Sequence, residues 1–499
     1  MRKIKLLFIT MLLCPLLSIQ SQELKLSKSQ MLEDFNETIS YINTFAVHKD
    51  LNAVRLGIDY TKQYTILRNT ITENTSICEF KDTLEKAIQL VQDMHCSFMS
   101  FDYFEAYGQY QKKFNFKKNQ SYERIKYFEE HCEAKAINLI LPLLYENGEY
   151  VVYADFSYKK QNIKRGTKVT LYNDKNIKSF ITNNYDKVWP ILWDANNKRP
   201  YNRKFYGVGK DQFSLTFNDG QSKTINFNLK DSIKLAQKPE RQVFYYSQSK
   251  EQALYLKDQN ALYIGMPFMD VEQGKNIISK VDSLHSKYGD FDKIIIDIRG
   301  NPGGNDMCWR NVLSHLIPSN ISFSIDLKYK YKKPVVEFYN KGKKNTKHEA
   351  IQLLNHSEYW TESDEVFTLK PSRKSIKHSA EIFVLQDKYI YSSAGNFSNF
   401  CLNSDKLISV GTTTNLVGGL QTEPLFFKMK HSELIFRIEP MLDFSGVKTI
   451  NDFSHNNVEI NIPTSADDYY LRTTYKGDLY SKAFLTNHDK LVKHVLAIK

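Results

Sequence analysis

The sequence predicts an α/β protein that carries a helical unit at its start and a β-rich unit between the two. Three observations point there. Apolar residues keep helical spacing between about residues 24 and 135, short alternating β-like runs fill about 138 to 232, and strands alternate with helical segments from about 241 onward. Strand–helix alternation is the pattern of a largely parallel sheet covered by helices. At 499 residues the chain is long enough for two or three cores of ordinary size.

The opening MRKIKLLFITMLLCPLLSIQSQ sets Arg2, Lys3 and Lys5 before an apolar run from Leu6 to Leu17, then small and polar residues. This is the layout of a secretory signal peptide over 1–21, cleaved near Gln20 or Ser21, and it is short for a membrane span. Pro15, Leu16 and Leu17 continue the apolar run past Cys14, which argues against lipid attachment there. No later segment is apolar enough to span a bilayer, so a chain exported to a periplasmic or extracellular space is expected. The formal charge of +12 is interspersed with acids along the chain, which suits a solvated basic surface and not a nucleic-acid groove. Cys78, Cys96, Cys132, Cys308 and Cys401 follow neither a zinc pattern nor a dense disulfide framework. Their spacing allows two bridges at most and does not pair them. No metal site and no cofactor is expected.

In KDTLEKAIQLVQDMH the residues Leu84, Ala87, Ile88, Val91 and Met94 fall on one helix face, and Asp82 with Glu85 resembles a capping box. This helix, in an N-terminal domain over 22–137, is expected to deliver Asp93 and His95 to its C-terminal end. In the β-rich domain over 138–235, NDGQ between two alternating runs signals a hairpin. The α/β domain over 241–485 reads as the strand NALYIGMPF, a helix near 272–287, the strand DKIIIDIRG and a helix near 306–316. The strand EIFVLQD, a helix near 394–403 and the strand KLISVG follow. Within it, KYKYKKPVVEFYNKGKKNTKHEA is basic and turn-rich and is expected to be an exposed insertion.

Two strand-to-helix turns in this domain hold the residues suited to chemistry. After the apolar run Ile294 to Ile298, the residues Asn301, Pro302, Gly303 and Gly304 form a turn whose backbone N–H groups can face an anion or a developing oxyanion. The turn matches neither a dinucleotide fingerprint nor a phosphate loop. In the second turn, YIYSSAGNFSNF, either Ser392 or Ser393 is a nucleophile or an ordinary helix cap. A helix N-terminus at Ser393 favours an alkoxide, and a glycine turn beside a serine turn is what acyl transfer requires. Asp297 and Arg299 are expected to pair and hold the first turn.

IIIDIRGNPGG followed by strand, YSSAGN, helix and KLISVGTTT resembles the tail-specific or C-terminal processing protease superfamily, which includes tricorn protease and the interphotoreceptor retinoid-binding proteins. The resemblance spans roughly 245 to 465 and implies a crotonase/ClpP-like α/β protease core. It likens NIKRGTKVTLYNDKNI, with Gly166, Val169 and Asn173 in register, to a degenerate PDZ segment. It implies Ser393 as nucleophile, with oxyanion donors from Ala394 and from Gly303 or Gly304. Where the bacterial branch carries a lysine base, GTTTNLVGGLQT has Gly418, so a Ser-Lys dyad is absent. The tricorn-like branch takes its base from a D-x-H motif, which VQDMHCS supplies as Asp93, Met94 and His95. That branch orients the histidine with a serine, here replaced by Met94, and a glutamate, near whose position Asp452 falls. The reading is an exported serine peptidase, an endopeptidase or carboxyl-terminal processing enzyme, with a Ser393–His95 pair, Asp452 and Asp93 as orienting acids, and a peptide or unfolded protein as substrate. The alternative is a catalytically inactive peptide- or ligand-binding protein on the same fold.

Overall fold

The helix that leads to His95 begins at Ser76 and not at Asp82: Ser76 and Glu79 form a reciprocal capping box, and Asp82 lies inside the helix. The computed structural model describes residues 25–498 except 101, 103–117, 133–137, 203–204, 208–210, 241–251, 336–350, 353–357, 362–365, 377, 403, 415–424, 446, 448–451 and 454–457. The expected leader over 1–21 and the turn around Gly418 lie outside the described residues.

Helices α1 (Lys28–Phe45), α2 (Val47–Leu56), α3 (Tyr60–Asn69) and α4 (Ile77–Gln89) form the expected helical unit. Helix α4 ends before the D-x-H motif, and Gln92, at φ 56°, reverses the chain so that Asp93 and His95 sit in the turn beyond it. Helix α5 (Lys118–His131) follows, and a Cys78–Cys132 disulfide ties α4 to the residue after it, while Cys96, Cys308 and Cys401 are free and buried.

The short strand β1 (Ser97–Phe98) leaves the His95 turn. The β-rich unit then sets β2 (Leu143–Glu146), β3 (Glu149–Val152), β4 (Lys168–Tyr172), β5 (Gln212–Asn218) and β6 (Ser222–Asn228) in the order β6-β5-β4-β3-β2. All neighbours are antiparallel. The hairpin expected at NDGQ is present, with Asn218 opposite Ser222 and Gly220 at φ 110°.

The α/β unit contains β7 (Gln252–Leu256), β8 (Ala261–Gly265), α6 (Val271–Tyr288), β9 (Lys293–Asp297), α7 (Asp306–Leu316) and β10 (Leu327–Lys330). It continues through β11 (Glu381–Gln386), α8 (Ser393–Leu402), β12 (Leu407–Gly411), β13 (Leu425–Lys428), β14 (Ile435–Ile438), β15 (Met441–Asp443) and β16 (Ile460–Asn461). Its sheet runs β7-β8-β9-β11-β12-β16, parallel except at β7. Strand β9 lies inside this sheet and is buried on both faces, as its unbroken apolar run requires. Ile294 and Ile296 join the layer of α6, α7 and α8, and Ile295 points to the opposite layer with Phe383 and Leu385. Helix α9 (Ala466–Thr474) follows, and α10 (Lys490–Ala497) covers that second side, where its Leu491, Val492 and Val495 pack.

The basic stretch expected as an exposed insertion starts instead as a buried strand. Strand β10 pairs with β15. The Lys330 ammonium, 3% exposed as a residue, donates to Asp50 Oδ1 at 3.1 Å and to the Asn43 carbonyl at 3.0 Å. Tyr359 donates to Asp50 Oδ2 at 2.6 Å. An acid on α2, far away in sequence, makes the burial of this lysine tolerable. Among the described residues no helix is long and apolar enough to cross a membrane, and no cluster of His, Cys, Asp and Glu could hold a metal ion.

Candidate active site

Strand β9 ends in an ion-pair network that anchors the glycine turn. Arg299 grips Asp297 through Nε and a terminal nitrogen at 2.9 and 2.6 Å, and also reaches Asp489 at 2.9 and 3.2 Å. Arg472 adds a contact to Asp489 at 2.6 Å, and Tyr263 donates to Asp297 at 2.8 Å. Burial works against the Asp489 charge, yet Arg299 and Arg472 hold its carboxyl well below the usual range. The expected Asp297–Arg299 pair is thus present, and it extends to α9 and to the residue that caps α10.

Beyond it, Gly300, Gly303 and Gly304 take φ 71°, 105° and 138°. Asn301 is fully buried and staples the turn: its Nδ2 donates to the Met266 carbonyl, and its Oδ1 accepts from the Gly303 N–H, both at 2.8 Å. The Asp387 carboxylate after β11 accepts from the N–H groups of Gly300 and Tyr389, and the Tyr391 N–H donates to the Asn301 carbonyl at 3.0 Å. The two turns expected to form a site therefore touch backbone to backbone.

Ser392 is at φ 53°, a costly conformation for a residue with a Cβ, and it turns the chain sharply into α8. Ser393 is the first residue of α8 and is 2% exposed. Its Oγ makes no hydrogen bond among the described residues, so it does not cap the helix. The N–H of Ala394 donates to the Tyr391 carbonyl at 3.1 Å. Two of the expected oxyanion donors, Gly303 and Ala394, are thus turned to internal acceptors in this conformation.

The His95 turn is fixed by its surroundings. Gln92 bridges the Tyr185 and Val188 carbonyls and the Ile191 N–H, and Asp93 Oδ1 accepts from the His95 N–H at 3.0 Å. Pairing of β1 with β14, Ser97 opposite Arg437, brings Glu439 beside the turn. His95 Nδ1 lies 3.8 Å from Glu439 Oε2, 3.8 Å from Asp93 Oδ1 and 3.2 Å from the Tyr391 hydroxyl. That hydroxyl donates to Asp93 Oδ1 at 2.6 Å, and the His95 and Tyr391 rings are 4.6 Å apart. On the far side, His48 Nδ1 is 3.4 Å from Asp93 Oδ2.

Burial lowers the His95 pKa to about 4 against the pull of Asp93, so the ring is neutral near pH 7. Burial also opposes a charge on Asp93, but His48, His95, the Tyr391 hydroxyl and the His95 backbone N–H hold it ionised. Glu439 is fully buried without a hydrogen-bond partner for either oxygen among the described residues, and burial, then Asp93, pushes its pKa well above the usual range.

The second carboxyl group beside His95, after Asp93, is therefore Glu439. Asp452, expected at that place, sits beside Phe453, whose ring packs on Phe444 in a cluster with Val47 and Leu51. Reading the sequence missed Glu439, Tyr391 and His48. An acid that ends the apolar run LIFRI just before Pro440 was the one local signal for Glu439.

Residues 260–453 match the profile described as Peptidase family S41. The chain is similar in fold to mature CPAF complexed with lactacystin, at 12% identity over 89% of this chain and 96% of that one, with TM-score 0.53. It is likewise similar to a crystal structure of mature CPAF, at 11% identity over 89% and 95%, with TM-score 0.54. A photosystem II D1 C-terminal processing protease aligns at 11% identity over 91% and 99%, with TM-score 0.41. No curated protein sequence matches the chain. The α/β core that holds the glycine and serine turns is thus similar to peptidase family S41 over residues 260–453.

Proposed function

We propose that this protein works as an exported serine hydrolase of peptide bonds, with Ser393 as nucleophile and His95 as general base. One observation carries the reading. Ser393 Oγ is buried and has no hydrogen-bond partner among the described residues, at a helix N-terminus, against a glycine turn and two residues from a tyrosine whose hydroxyl touches His95. A buried hydroxyl left without a partner costs about 1–3 kcal/mol, which a structural serine would avoid by capping the helix.

In this mechanism His95 Nε2 takes the Ser393 proton as Oγ attacks the scissile carbonyl, then returns it to the leaving amine; water releases the acyl group by the same route. The oxyanion falls to the N–H groups of the Gly303–Gly304 turn and Ala394, with the α8 dipole behind them. Because Gly303 and Ala394 donate internally here, a productive complex requires the substrate carbonyl to displace the Asn301 and Tyr391 oxygens. Glu439 and Asp93 flank the base, and Asp452 is left out of the mechanism.

The β-rich unit is read as a degenerate PDZ-like module: Gly166 and Asn173 take positive φ at the ends of the β4 segment and Val169 is buried within it. An extended peptide could add to its edge strand β2, which suits a peptide or unfolded protein as substrate. Export is supported by the leader-like start of the sequence and by the Cys78–Cys132 bridge, which persists in an oxidising compartment.

Labelling of the full chain with a fluorophosphonate, and with lactacystin as a second probe, tests the assignment. Wild type should be labelled and hydrolyse peptides, and Ser393→Ala should do neither while folding normally. Retained hydrolysis in Ser393→Ala would overturn the nucleophile. An unlabelled, inactive wild type would point to the binding-protein alternative.

A further inference from the structure

We infer that Tyr391 is a positioning residue for the base: its hydroxyl, anchored on Asp93, holds the His95 ring proton on Nδ1 and leaves Nε2 free to accept from Ser393. The last clause rests on the Ser393–His95 reading above; the tautomer itself does not.

The argument is one of proton count. A phenol has one proton, and at 2.6 Å an ionised Asp93 accepts it. Toward His95 the Tyr391 oxygen then offers only lone pairs. The 3.2 Å contact to Nδ1 is satisfied only if Nδ1 carries the hydrogen. Among the described residues, the other groups recorded beside the ring are engaged elsewhere or lie too far from it. The Asp93 and Glu439 oxygens lie 3.8 Å from Nδ1, beyond hydrogen-bond reach, and Glu439 is favoured as the neutral acid. Arg437 donates through Nη2 to the Met94 carbonyl and through Nε to Ser97 Oγ, and the Cys96 thiol faces Asp93 Oδ2. His48 meets the far oxygen of Asp93.

Tyr391 has a second tie, because its N–H is bonded to the Asn301 carbonyl and Ser393 follows two positions later. The turn that aims the nucleophile thus also aims the base. A shift of that turn would disturb both together, which is the expected behaviour of one preorganised unit.

Nitrogen-15 NMR of histidine-labelled full-length protein at pH 7 reads the tautomer directly, with His95→Gln for assignment. The wild type should carry its ring proton on Nδ1. Tyr391→Phe keeps the buried ring and should shift His95 to a mixed or Nε2-protonated form, with kcat lower by roughly 10- to 100-fold and KM within about 3-fold. A proton on Nε2 in wild type, or a tautomer unchanged in Tyr391→Phe, would overturn the inference. The wild-type spectrum decides the assignment even if the variant folds poorly. Should wild type prove inactive and unlabelled, the nucleophile reading falls while the tautomer result still stands or fails alone.

Discussion

Gly303 and Ser392 meet with no space between them: a Cβ built on Gly303 would lie 2.7 Å from the Ser392 Cβ and 3.0 Å from the Ser393 nitrogen. The contact sets how closely the glycine turn approaches the serine turn. Gly303→Ala must strain a φ of 105° and also push the Ser393 backbone away. We expect a loss of about 1–3 kcal/mol in unfolding free energy and of fluorophosphonate labelling beyond what that loss explains. A variant as stable and reactive as wild type would show that the two turns move apart freely.

His95 makes stability depend on pH. Its folded pKa is lowered to about 4 by burial, whereas an unfolded histidine titrates near 6.5, so between these values the unfolded chain binds the extra proton. The stability contributed by keeping this ring neutral is complete above about pH 6.5 and is lost as pH falls toward 4. Denaturant melts at pH 7, 5.5 and 4.5 should fall more steeply for wild type than for His95→Gln. Parallel slopes would refute the buried neutral ring. By the same logic the acid limb of kcat/KM should lie below the ordinary histidine range.

Lys388 joins the serine turn to the β-rich unit. Its ammonium donates to the Tyr145 carbonyl at 2.8 Å and lies over the rings of Tyr145 and Tyr201 at 5.8 and 5.5 Å. Lys388→Met should weaken that docking by about 1–2 kcal/mol. We expect hydrolysis of long peptides, which can use the β-rich unit, to fall roughly tenfold while short peptides are cleaved nearly as before. Equal effects on both lengths would mean that the contact is only structural.

Asp489 is shared by two buried arginines, Arg299 and Arg472, at 2.9 and 2.6 Å. Asp489→Asn would leave two guanidinium groups short of negative charge in the interior, at a cost of about 3–5 kcal/mol. Thermal unfolding measures it, and a loss under about 1 kcal/mol would show that Asp297 alone satisfies Arg299.

Local apolar pattern made the core elements legible. The run Ile294 to Ile298 suited a strand buried on both faces, and α6, α7 and α8 begin and end within a residue or so of where periodicity and turn residues put them. Chain order also brought Gly303, Gly304 and Ser393 to neighbouring turns, because parallel strands β9 and β11 must end on the same side of the sheet. The surroundings of His95 were beyond such reading. Glu439 and Tyr391 look like ordinary flanking residues until β1 pairs with β14 and the serine turn folds over Asp93, contacts spanning 340 and 298 positions. The same holds for Lys330, a surface residue by sequence that Asp50 renders buriable across 280 positions. Hydrophobic periodicity is written into each segment, whereas the desolvation and pairing of a charge depend on which distant groups the tertiary structure sets against it.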